Sequence, residues 1–338
     1  MGNENEQIGT TGLHGEDWRG LYPFDSRELR IAAFRYHYLD EGPAATDFVK
    51  TDVDGPLLFV HGNPTWSFHW RNLIRRWRDE RRCVAPDHLG SGLSDKPVNG
   101  SYRLADHIDN LVRLIESLDL SNITLVAQDW GGAIGLGAAL RVPQRFARFV
   151  LFNTGAFPPW FIPWRIRVCR FPVLGQFAVR GLNVFSRAAL RMTMARPERL
   201  TQPERRGILA PYGSWADRVG VYRFVEDIPA TSRHPTYRTL TEIESGLPTL
   251  ADRPVQLIWG MRDWCFTPEC LEKFTTIFPN ASVHRLEDAG HWVVEDAPDD
   301  VVQLVEEFLA SHPVNFKEPQ IERGLEGMKP QMNADQHR

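Results

Sequence analysis

The sequence predicts an α/β protein in which a mostly parallel β-sheet carries helices on both faces and an inserted helical cap. Two observations predict this class. Short apolar runs rich in β-forming residues alternate along the chain with segments of helical period, as in strands that are joined by crossover helices. The alternation stops at about residue 156 and resumes at about residue 245. The 338 residues suffice for one large domain with such an insertion.

Seven runs are predicted to be strands. The first, within residues 31–42, is expected to be a leading antiparallel strand. The other six are apolar and rich in Val, Ile, Leu and Phe, and they are bounded by polar residues or glycine. They are LLFVH (57–61), CVAPD (83–87), ITLVAQD (123–129), FVLFNT (149–154), VQLIWG (255–260) and SVHRLED (282–288).

Helices are predicted between these strands. Apolar residues recur at three- and four-residue intervals from 104 to 118, which places them on one helix face. Further helices are predicted at 131–142, 267–278 and 299–311. We therefore expect a core domain of residues 28–155 and 246–312 and a cap of residues 156–245. An N-terminal polar segment (1–27) and a flexible, polar C-terminal tail (313–338) flank them.

The composition restricts the classes of partner. The formal net charge is −4 and the pI is about 6.3, so no overall positive field exists to bind nucleic acid. The four cysteines are scattered and form no C-x-x-C pair, which indicates neither a zinc site nor a disulfide framework. No secretory signal or transmembrane run is evident. We expect a cytoplasmic protein without metal or cofactor.

The cap has an unusual charge pattern. Residues 160–223 contain twelve arginines and three acids, together with many apolar residues such as Trp160, Phe161 and Trp164. One interpretation is a cap whose apolar side covers the core while its arginines are solvated. The other is that part of this surface contacts another protomer, an enzyme assembly or an amphiphilic substrate.

The stretch LVAQDWGG (125–132) ends a predicted strand in a carboxylate and then turns on two glycines. A strand that enters a helix through a tight turn needs small residues beside the turn, because the two backbones nearly touch. Ala127, Gly131 and Gly132 are such residues around Asp129. This is the pattern of a nucleophile elbow, G-x-S-x-G, with aspartate replacing serine and alanine replacing the first glycine. Alone, the pattern also suits an aspartate that caps a helix.

Three other strand ends favour the elbow. LLFVH leads into HGNPT (61–65), where the backbone N–H of Asn63 can act as an oxyanion donor together with the N–H of Trp130. VQLIWG is followed by Asp263 at the predicted rim of the sheet, and His291 lies in EDAGHW after the last strand. Nucleophile, acid and histidine in this order match the triad of α/β-hydrolases.

Together with PDHLGSGLSDKP (86–97), the motifs HGNPT, AQDWGG, WGMRD and AGHW resemble the haloalkane dehalogenase family. The resemblance covers roughly residues 28–311, the cap excepted. It implies an α/β-hydrolase fold with an eight-stranded, mostly parallel sheet, in the subgroup whose triad acid follows the seventh core strand. It also implies that the indole N–H of Trp130 and the side-chain amide of Asn63 bind the departing halide.

These residue types suit displacement at a saturated carbon. An aspartate can displace a leaving group from such a carbon and become the acyl half of an alkyl ester. His291 is then expected to activate the water that attacks the ester, and Asp263 to orient the imidazole. The favoured activity is cleavage of carbon–halogen bonds to alcohol and halide, with a small apolar substrate and water as reactants.

Other polar residues near these motifs are expected to support the site. Asn153 stands where some family members carry the triad acid, and we expect it to hydrogen-bond near the site as a secondary residue. His61 is expected to pack or hydrogen-bond beneath the HGNP turn. Asp87 and Asp95 are expected to organise the PDHLGSGLSDKP loop.

A close alternative is the β-lactone decarboxylase of bacterial long-chain olefin biosynthesis, which resembles the same subgroup and uses the same three catalytic residue types. YRFVEDIP (222–229) and HPTYRTLTEIESGL (234–247) look like that group. An apolar, arginine-rich cap could also suit a large lipid-like substrate. In these two interpretations the catalytic residues are identical, and the substrate differs.

Three further alternatives are less favoured. Epoxide hydrolases place an aromatic residue at the position of Asn63 and histidine at that of Gln128, and they need two cap tyrosines; Tyr212, Tyr222 and Tyr237 are available. Fluoroacetate dehalogenases pair the aspartate with arginines, whereas tryptophan follows it here. A ligand receptor with a dormant triad is the remaining class, and the intact set of catalytic residues argues against it.

Overall fold

The structure is a computed structural model that describes residues 16–43 and 54–314. Most of the predicted tail (313–338) and the first fifteen residues of the predicted N-terminal segment lie outside the described residues. All the predicted strands and helices lie within them.

Eight strands form one sheet in the order β1-β2-β4-β3-β5-β6-β7-β8. From β3 to β8 all pairs are parallel, and β2 pairs antiparallel with both β1 and β4. The α/β class with a mostly parallel sheet is therefore confirmed. The strands are β1 (Ser26–Ile31), β2 (Phe34–Glu41), β3 (Leu57–Val60), β4 (Cys83–Pro86), β5 (Ile123–Asp129), β6 (Phe146–Thr154), β7 (Val255–Gly260) and β8 (Ser282–Leu286).

The α-helices of the described residues fall into a core group and an inserted group. Those before β6 and after β7 flank the sheet: α1 (Arg71–Trp77), α2 (Leu104–Ser117), α3 (Trp130–Arg141), and, numbered after the inserted group, α10 (Pro268–Ile277), α11 (Val293–Asp296) and α12 (Pro298–Ser311). The inserted group, between β6 and β7, comprises α4 (Trp164–Cys169), α5 (Leu174–Gln176), α6 (Val184–Met192), α7 (Gln202–Leu209), α8 (Val219–Asp227) and α9 (Pro235–Gly246).

The central strands are apolar on both faces because both faces are covered. Alternate side chains of β3 point to opposite sides of the sheet. Leu58 and Val60 join a core cluster with α2 and α3. Leu57 and Phe59 join a second cluster with α1 and α12. All four side chains are fully buried. This explains why the parallel strands appear in the sequence as continuous apolar runs.

The strand order explains where a site can form. The chain proceeds from β3 to β4 on one side and then crosses to β5 on the other side of β3. In open parallel sheets, ligands bind where the order reverses, beyond the carboxyl ends of the strands. Here that point lies between the ends of β3 and β5, from which Asn63 and Asp129 project.

The amino-terminal region differs from its prediction. The predicted leading strand is one arm of a hairpin, and its partner β1 was missed because its SRELRI side chains are mostly exposed and show no apolar alternation. Within the predicted N-terminal polar segment (1–27), the described part from residue 16 onwards includes residues that pack on the core. Trp18 and Tyr22 are buried in the second core cluster, and the Tyr22 hydroxyl lies 2.6 Å from Ser67 Oγ.

The last inserted helix packs on the core. Leu240 and Ile243 of α9 belong to the cluster that contains α2 and α3. These two residues attach the last helix of the predicted cap (156–245) to the core. Within residues 16–43 and 54–314, no helix has both the length and the apolar character needed to cross a bilayer.

Candidate active site

Asp129 lies on a strained turn. It is the last residue of β5 and directly precedes α3, with φ 54° and ψ −131°. Positive φ is unusual for a residue with a side chain and marks stored strain at functional positions. Neighbouring glycines permit the turn: a Cβ on Gly62 would overlap the Asp129 carboxylate, and one on Gly131 would overlap the Val60 carbonyl oxygen. This is the elbow geometry that the sequence predicts.

The two carboxylate oxygens of Asp129 have different neighbours. The backbone N–H of Asn63 donates to Oδ1 at 2.7 Å. Oδ2 lies 3.4 Å from Nε2 of His291. Oδ1 is thus held where an oxyanion would form during attack on an ester of Asp129, since a backbone N–H is aimed at it. Oδ2 does not receive this hydrogen bond and is directed towards His291.

His291 is held by the third member of the predicted triad. Its Nδ1 lies 2.7 Å from Oδ2 of Asp263, and the other oxygen of Asp263 accepts a hydrogen bond from the N–H of Cys265 at 2.7 Å. Both residues of the pair are buried. The ring of Phe266 stacks on the imidazole at 5.6 Å between centroids. These contacts fix the orientation of the ring and direct Nε2 towards Asp129.

The charge state of His291 follows from its two carboxylate neighbours. Burial lowers the pKa of His291, but Asp263 and Asp129 outweigh burial and raise the pKa to about 10. The imidazole is therefore protonated at neutral pH. An ester at Asp129 would carry no charge, so its contribution to this rise would be lost and the pKa of His291 would fall.

Asn63 and Trp130 lie beside the carboxylate, as the sequence predicts. One N–H of the Asn63 side chain donates to the carbonyl oxygen of Val221 in α8 at 3.2 Å. This bond joins the core loop to the cap and leaves the second N–H of the amide. The Trp130 indole packs against Phe224 at 5.7 Å. Asn63 and Trp130 both line the cavity in front of Asp129.

Gln128 is a supporting residue whose contacts the sequence could not predict. Its amide N–H donates to the carbonyl oxygen of His291, and its carbonyl oxygen contacts Nε2 of His69. Gln128 is buried, and it immediately precedes the nucleophile. It therefore connects the strand that carries Asp129 to the loop that carries His291. Sequence reasoning identified it only as a difference from epoxide hydrolases.

Asn153 connects two strands of the sheet. Its side-chain N–H donates to the Gly260 carbonyl oxygen at 3.0 Å, and its oxygen accepts from the Gly260 N–H at 2.7 Å. The side chain is fully buried. Both polar groups of the Asn153 side chain thus bind the backbone of Gly260, the last residue of β7, and the chain continues from there to Asp263. Asn153 is therefore a positioning residue at the rim of the sheet.

The remaining predicted supporting residues lie beneath the site. His61 is buried, and its Nδ1 lies 2.7 Å from the carbonyl oxygen of Gly62. Asp87 accepts hydrogen bonds from the N–H groups of Ser67 and Leu93 and pairs with a histidine of β2. Asp95 accepts from the backbone and side chain of an arginine at the start of β2. These bonds anchor the two loops.

A cavity of about 120 Å³ lies in front of Asp129. Twenty residues from the core and the cap line it. Polar groups come from Asn63 and Asp129, two indoles and two thiols, and the rest of the wall is hydrocarbon. No tyrosine occurs among the described residues that line it. Within the same ranges, no cluster of His, Cys, Asp and Glu has the arrangement of a metal site. The cavity suits an apolar substrate.

Comparisons with known proteins agree with this geometry. Residues 55–298 match the family model of the alpha/beta hydrolase fold. The chain is 39% identical to a cis-3-alkyl-4-alkyloxetan-2-one decarboxylase of Shewanella oneidensis over 297 residues, 86% of this chain and 89% of that protein. It is 34% identical to haloalkane dehalogenase 2 of Mycobacterium bovis over 84% of this chain and 95% of that protein. The solved haloalkane dehalogenase DbeA from Bradyrhizobium elkani USDA94 aligns with a TM-score of 0.74 and 26% identity, over 85% of this chain and 98% of DbeA.

Proposed function

Because the chain belongs to the alpha/beta hydrolase family, in the group of haloalkane dehalogenases and cis-3-alkyl-4-alkyloxetan-2-one decarboxylases, we propose that Asp129 attacks a saturated carbon and forms a covalent ester. One observation carries this proposal. Oδ1 of Asp129 is bound by the Asn63 N–H, while Oδ2 lies near His291 and the residue lines an apolar cavity. An oxygen bound at an oxyanion position and a second oxygen left to attack are what nucleophilic catalysis by a carboxylate requires.

The substrate that we propose first is a cis-3,4-dialkyl β-lactone, which this chain would convert to an alkene and carbon dioxide. Two observations support it. The similarity to the oxetanone decarboxylase, at 39% identity, exceeds the 34% identity to the dehalogenase at similar coverage. The cavity is walled by hydrocarbon from both the core and the cap, which suits alkyl chains on both sides of a small polar ring.

The geometry allows a balanced route for this substrate. Oδ2 of Asp129 attacks the saturated ring carbon that is bonded to the ring oxygen. The carbon–oxygen bond breaks, and its electron pair remains on oxygen as a carboxylate. Loss of carbon dioxide then forms the alkene and expels Asp129 as a carboxylate, so no water is consumed. Protonated His291 and the N–H groups of Asn63 and Trp130 would stabilise the carboxylates that form.

Cleavage of carbon–halogen bonds is the second candidate, and the Asn63–Trp130 pair favours it. Both residues carry N–H donors and line the cavity beside the attacking oxygen. Donors at that place stabilise the charge that develops on a departing halide. Here water is needed for the second step, and His291 would activate it once esterification has lowered its pKa. Epoxide opening is not favoured, because no tyrosine lines the cavity in the described residues.

A side-by-side assay separates the two substrates. The purified chain would be incubated with a long-chain cis-3-alkyl-4-alkyloxetan-2-one and with a panel of 1-bromoalkanes, and alkene and bromide would be measured. We expect alkene from the lactone in excess over bromide from any bromoalkane. Bromide alone would assign the second candidate. If neither product exceeds that of the Asp129→Asn variant, the proposed function is wrong.

We also propose a cytoplasmic location. The four cysteines are free thiols in the structure, and two of them, Cys83 and Cys270, are buried. Free thiols suit a reducing compartment. Fractionation of cells that express the tagged chain would test this proposal, and recovery in the periplasmic fraction would contradict it.

A further inference from the structure

The first part of the cap exposes an unusual amount of apolar surface. Ten of the thirteen large hydrophobic side chains that are exposed in the described residues lie between positions 160 and 184. Seven of the ten are more than half exposed, and six of these seven come from α4, α5 and the residues beside them. We call these six the outer cap face: Trp164 (67%), Val168 (52%), Phe171 (59%), Val173 (76%), Leu174 (74%) and Phe177 (56%).

Folding does not account for this surface. In α4, Ile166 is buried towards the cavity, whereas Trp164 and Val168 point to solvent. A surface helix normally places polar residues opposite its buried side. A contiguous exposed apolar surface on a globular protein usually marks an interaction site. The charges and the position of this surface indicate which kind of occupant it fits.

The chain segment that carries the outer cap face has only positive charges. Residues 160–197 contain seven arginines and no aspartate or glutamate, although the whole chain has a net charge of −4. Four of these arginines are exposed: Arg165, Arg167, Arg187 and Arg191. The Arg165 guanidinium lies over the Trp164 ring at 5.4 Å from its centroid. Apolar side chains interspersed with cations match an anionic lipid surface, because such a surface offers phosphates above hydrocarbon.

The same region reaches the active-site cavity. Trp160 and Phe161 line the cavity and are also 49% and 41% exposed. They lie just before α4, and Ile166 of α4 is part of the cavity wall. Trp160 and Phe161 thus place apolar, partly exposed side chains in the cavity wall, close in the chain to the outer cap face. We expect a substrate with alkyl chains to enter the cavity beside them.

We propose that the outer cap face docks on an anionic lipid bilayer, so that an apolar substrate passes from the membrane surface into the cavity. The apolar side chains enter the boundary between head groups and acyl chains, and the exposed arginines bind lipid phosphates. A second copy of the chain fits less well, because two such faces would bring their arginines together, and like charges that meet at an interface repel each other. The passage of substrate rests on the proposed function, whereas the docking does not.

Vesicle co-sedimentation of the full chain tests the docking. The vesicles are phosphatidylcholine alone or phosphatidylcholine mixed with phosphatidylglycerol. We expect binding to the anionic vesicles that weakens as salt is raised. We expect the affinity of the triple variant Trp164→Ser, Phe171→Ser, Leu174→Ser for the anionic vesicles to fall by about tenfold or more. The double variant Arg165→Gln, Arg167→Gln should lose most of the preference for the anionic lipid.

Two matched controls lie outside the face. Val98→Ser removes an apolar side chain that is 60% exposed in the loop between β4 and α2. Arg238→Gln removes an arginine whose side chain is 85% exposed on α9. Both variants should bind vesicles as the wild type does. Loss of binding in either one would show that the effect is not specific to the outer cap face and would overturn the proposal.

The remaining outcomes are also decisive. Equal binding of wild type to neutral and anionic vesicles, or no binding to either, overturns the proposal. A second result would also overturn it: the wild type is a dimer in gel filtration, the triple variant is a monomer, and the wild type binds no vesicles. The outer cap face would then contact a second copy of the chain. The triple variant should retain the wild-type rate on a short, water-soluble substrate. If the wild type binds anionic vesicles but converts none of the substrates, the proposed function is wrong and the docking proposal stands.

Discussion

The carboxyl rim of the sheet and the outer cap face distribute polar and apolar groups in opposite ways. At the rim, Asp263 and His291 are buried, Asp129 is partly buried, and each has partners: Asp263 binds His291 and the N–H of Cys265, and Asp129 accepts from the N–H of Asn63. On the outer cap face, apolar side chains are exposed, and no salt bridge joins Arg165 or Arg167 to a carboxylate of the described residues. The polar groups of the rim find their partners within the chain, whereas the apolar side chains of the outer cap face would be covered only by an external surface.

This difference shows which substitutions should affect which property. Groups at the rim are fixed by several contacts each, so removing one should change chemistry. Groups on the outer cap face make few contacts within the protein, so removing them should change association and leave turnover in solution intact.

Replacing the nucleophile should have the largest effect. Asp129→Asn removes the attacking oxygen and keeps the shape of the side chain, so turnover should fall by about 10³-fold or more. Circular dichroism and melting temperature should stay close to the wild type, and vesicle binding should be unchanged. Product formation within tenfold of the wild type would show that Asp129 is not the nucleophile.

Crowding the nucleophile should come next. The Cβ of Gly62→Ala would overlap the Asp129 carboxylate, which must then shift. A displacement of this kind can reduce the rate by about 10²-fold. Gly20→Ala is the matched control, since no atom lies within 4 Å of its added Cβ. Steady-state kinetics of the two variants would decide. Equal rates would mean that the carboxylate tolerates a shift and that its placement is not critical.

Removing the connection behind His291 should have a smaller effect. Gln128→Leu deletes the hydrogen bond to the His291 carbonyl oxygen, so kcat should fall by about tenfold with little change in KM. The pH profile should shift as well, because the ring loses its fixed position between two carboxylates. Gln256→Leu is the control: Gln256 is equally buried but lies near the amino end of β7, away from the carboxyl rim, and donates to the carbonyl oxygen of Leu304. If both variants are less stable than the wild type but have the same kcat as each other, Gln128 has a structural role only.

The smallest effect is on stability as a function of pH. The pKa of His291 is raised from 6.5 to about 10. Protonated His291 therefore stabilises the folded state fully below about pH 6.5, and this contribution is lost as the pH rises to about 10. The melting-temperature advantage of the wild type over His291→Gln should shrink across that interval. An advantage that stays constant from pH 6.5 to 10 would show that the ion pair does not form.

The rim could be predicted from the sequence because its residues follow strands directly. Asp129, Asp263 and the HGNPT turn each come after an apolar run, and parallel strands bring their carboxyl ends to one edge. Contacts between distant segments could not be predicted in this way. The hydrogen bond from the Asn63 side-chain amide to the Val221 carbonyl oxygen joins residues 158 positions apart, and it depends on how the cap packs against the core.

Elements whose burial depends on tertiary contacts were also missed. The strand β1 is mostly exposed and is defined by its pairing with β2 and not by its own pattern. Trp18 and Tyr22 stand in a polar stretch, and only their packing against Trp66 and Phe68 assigns them to the core. The exposure of the outer cap face was likewise not evident, because its apolar residues resemble those of a buried helix.

The covalent ester on Asp129 is tested most directly by mass spectrometry of the His291→Ala variant after incubation with a 1-bromoalkane. This variant keeps the nucleophile and the Asn63 donor but lacks the base that activates water. We predict that the peptide containing Asp129 gains the mass of the alkyl group and that about one bromide per chain is released. An unmodified peptide, together with bromide release by the wild type, would contradict the role assigned to Asp129.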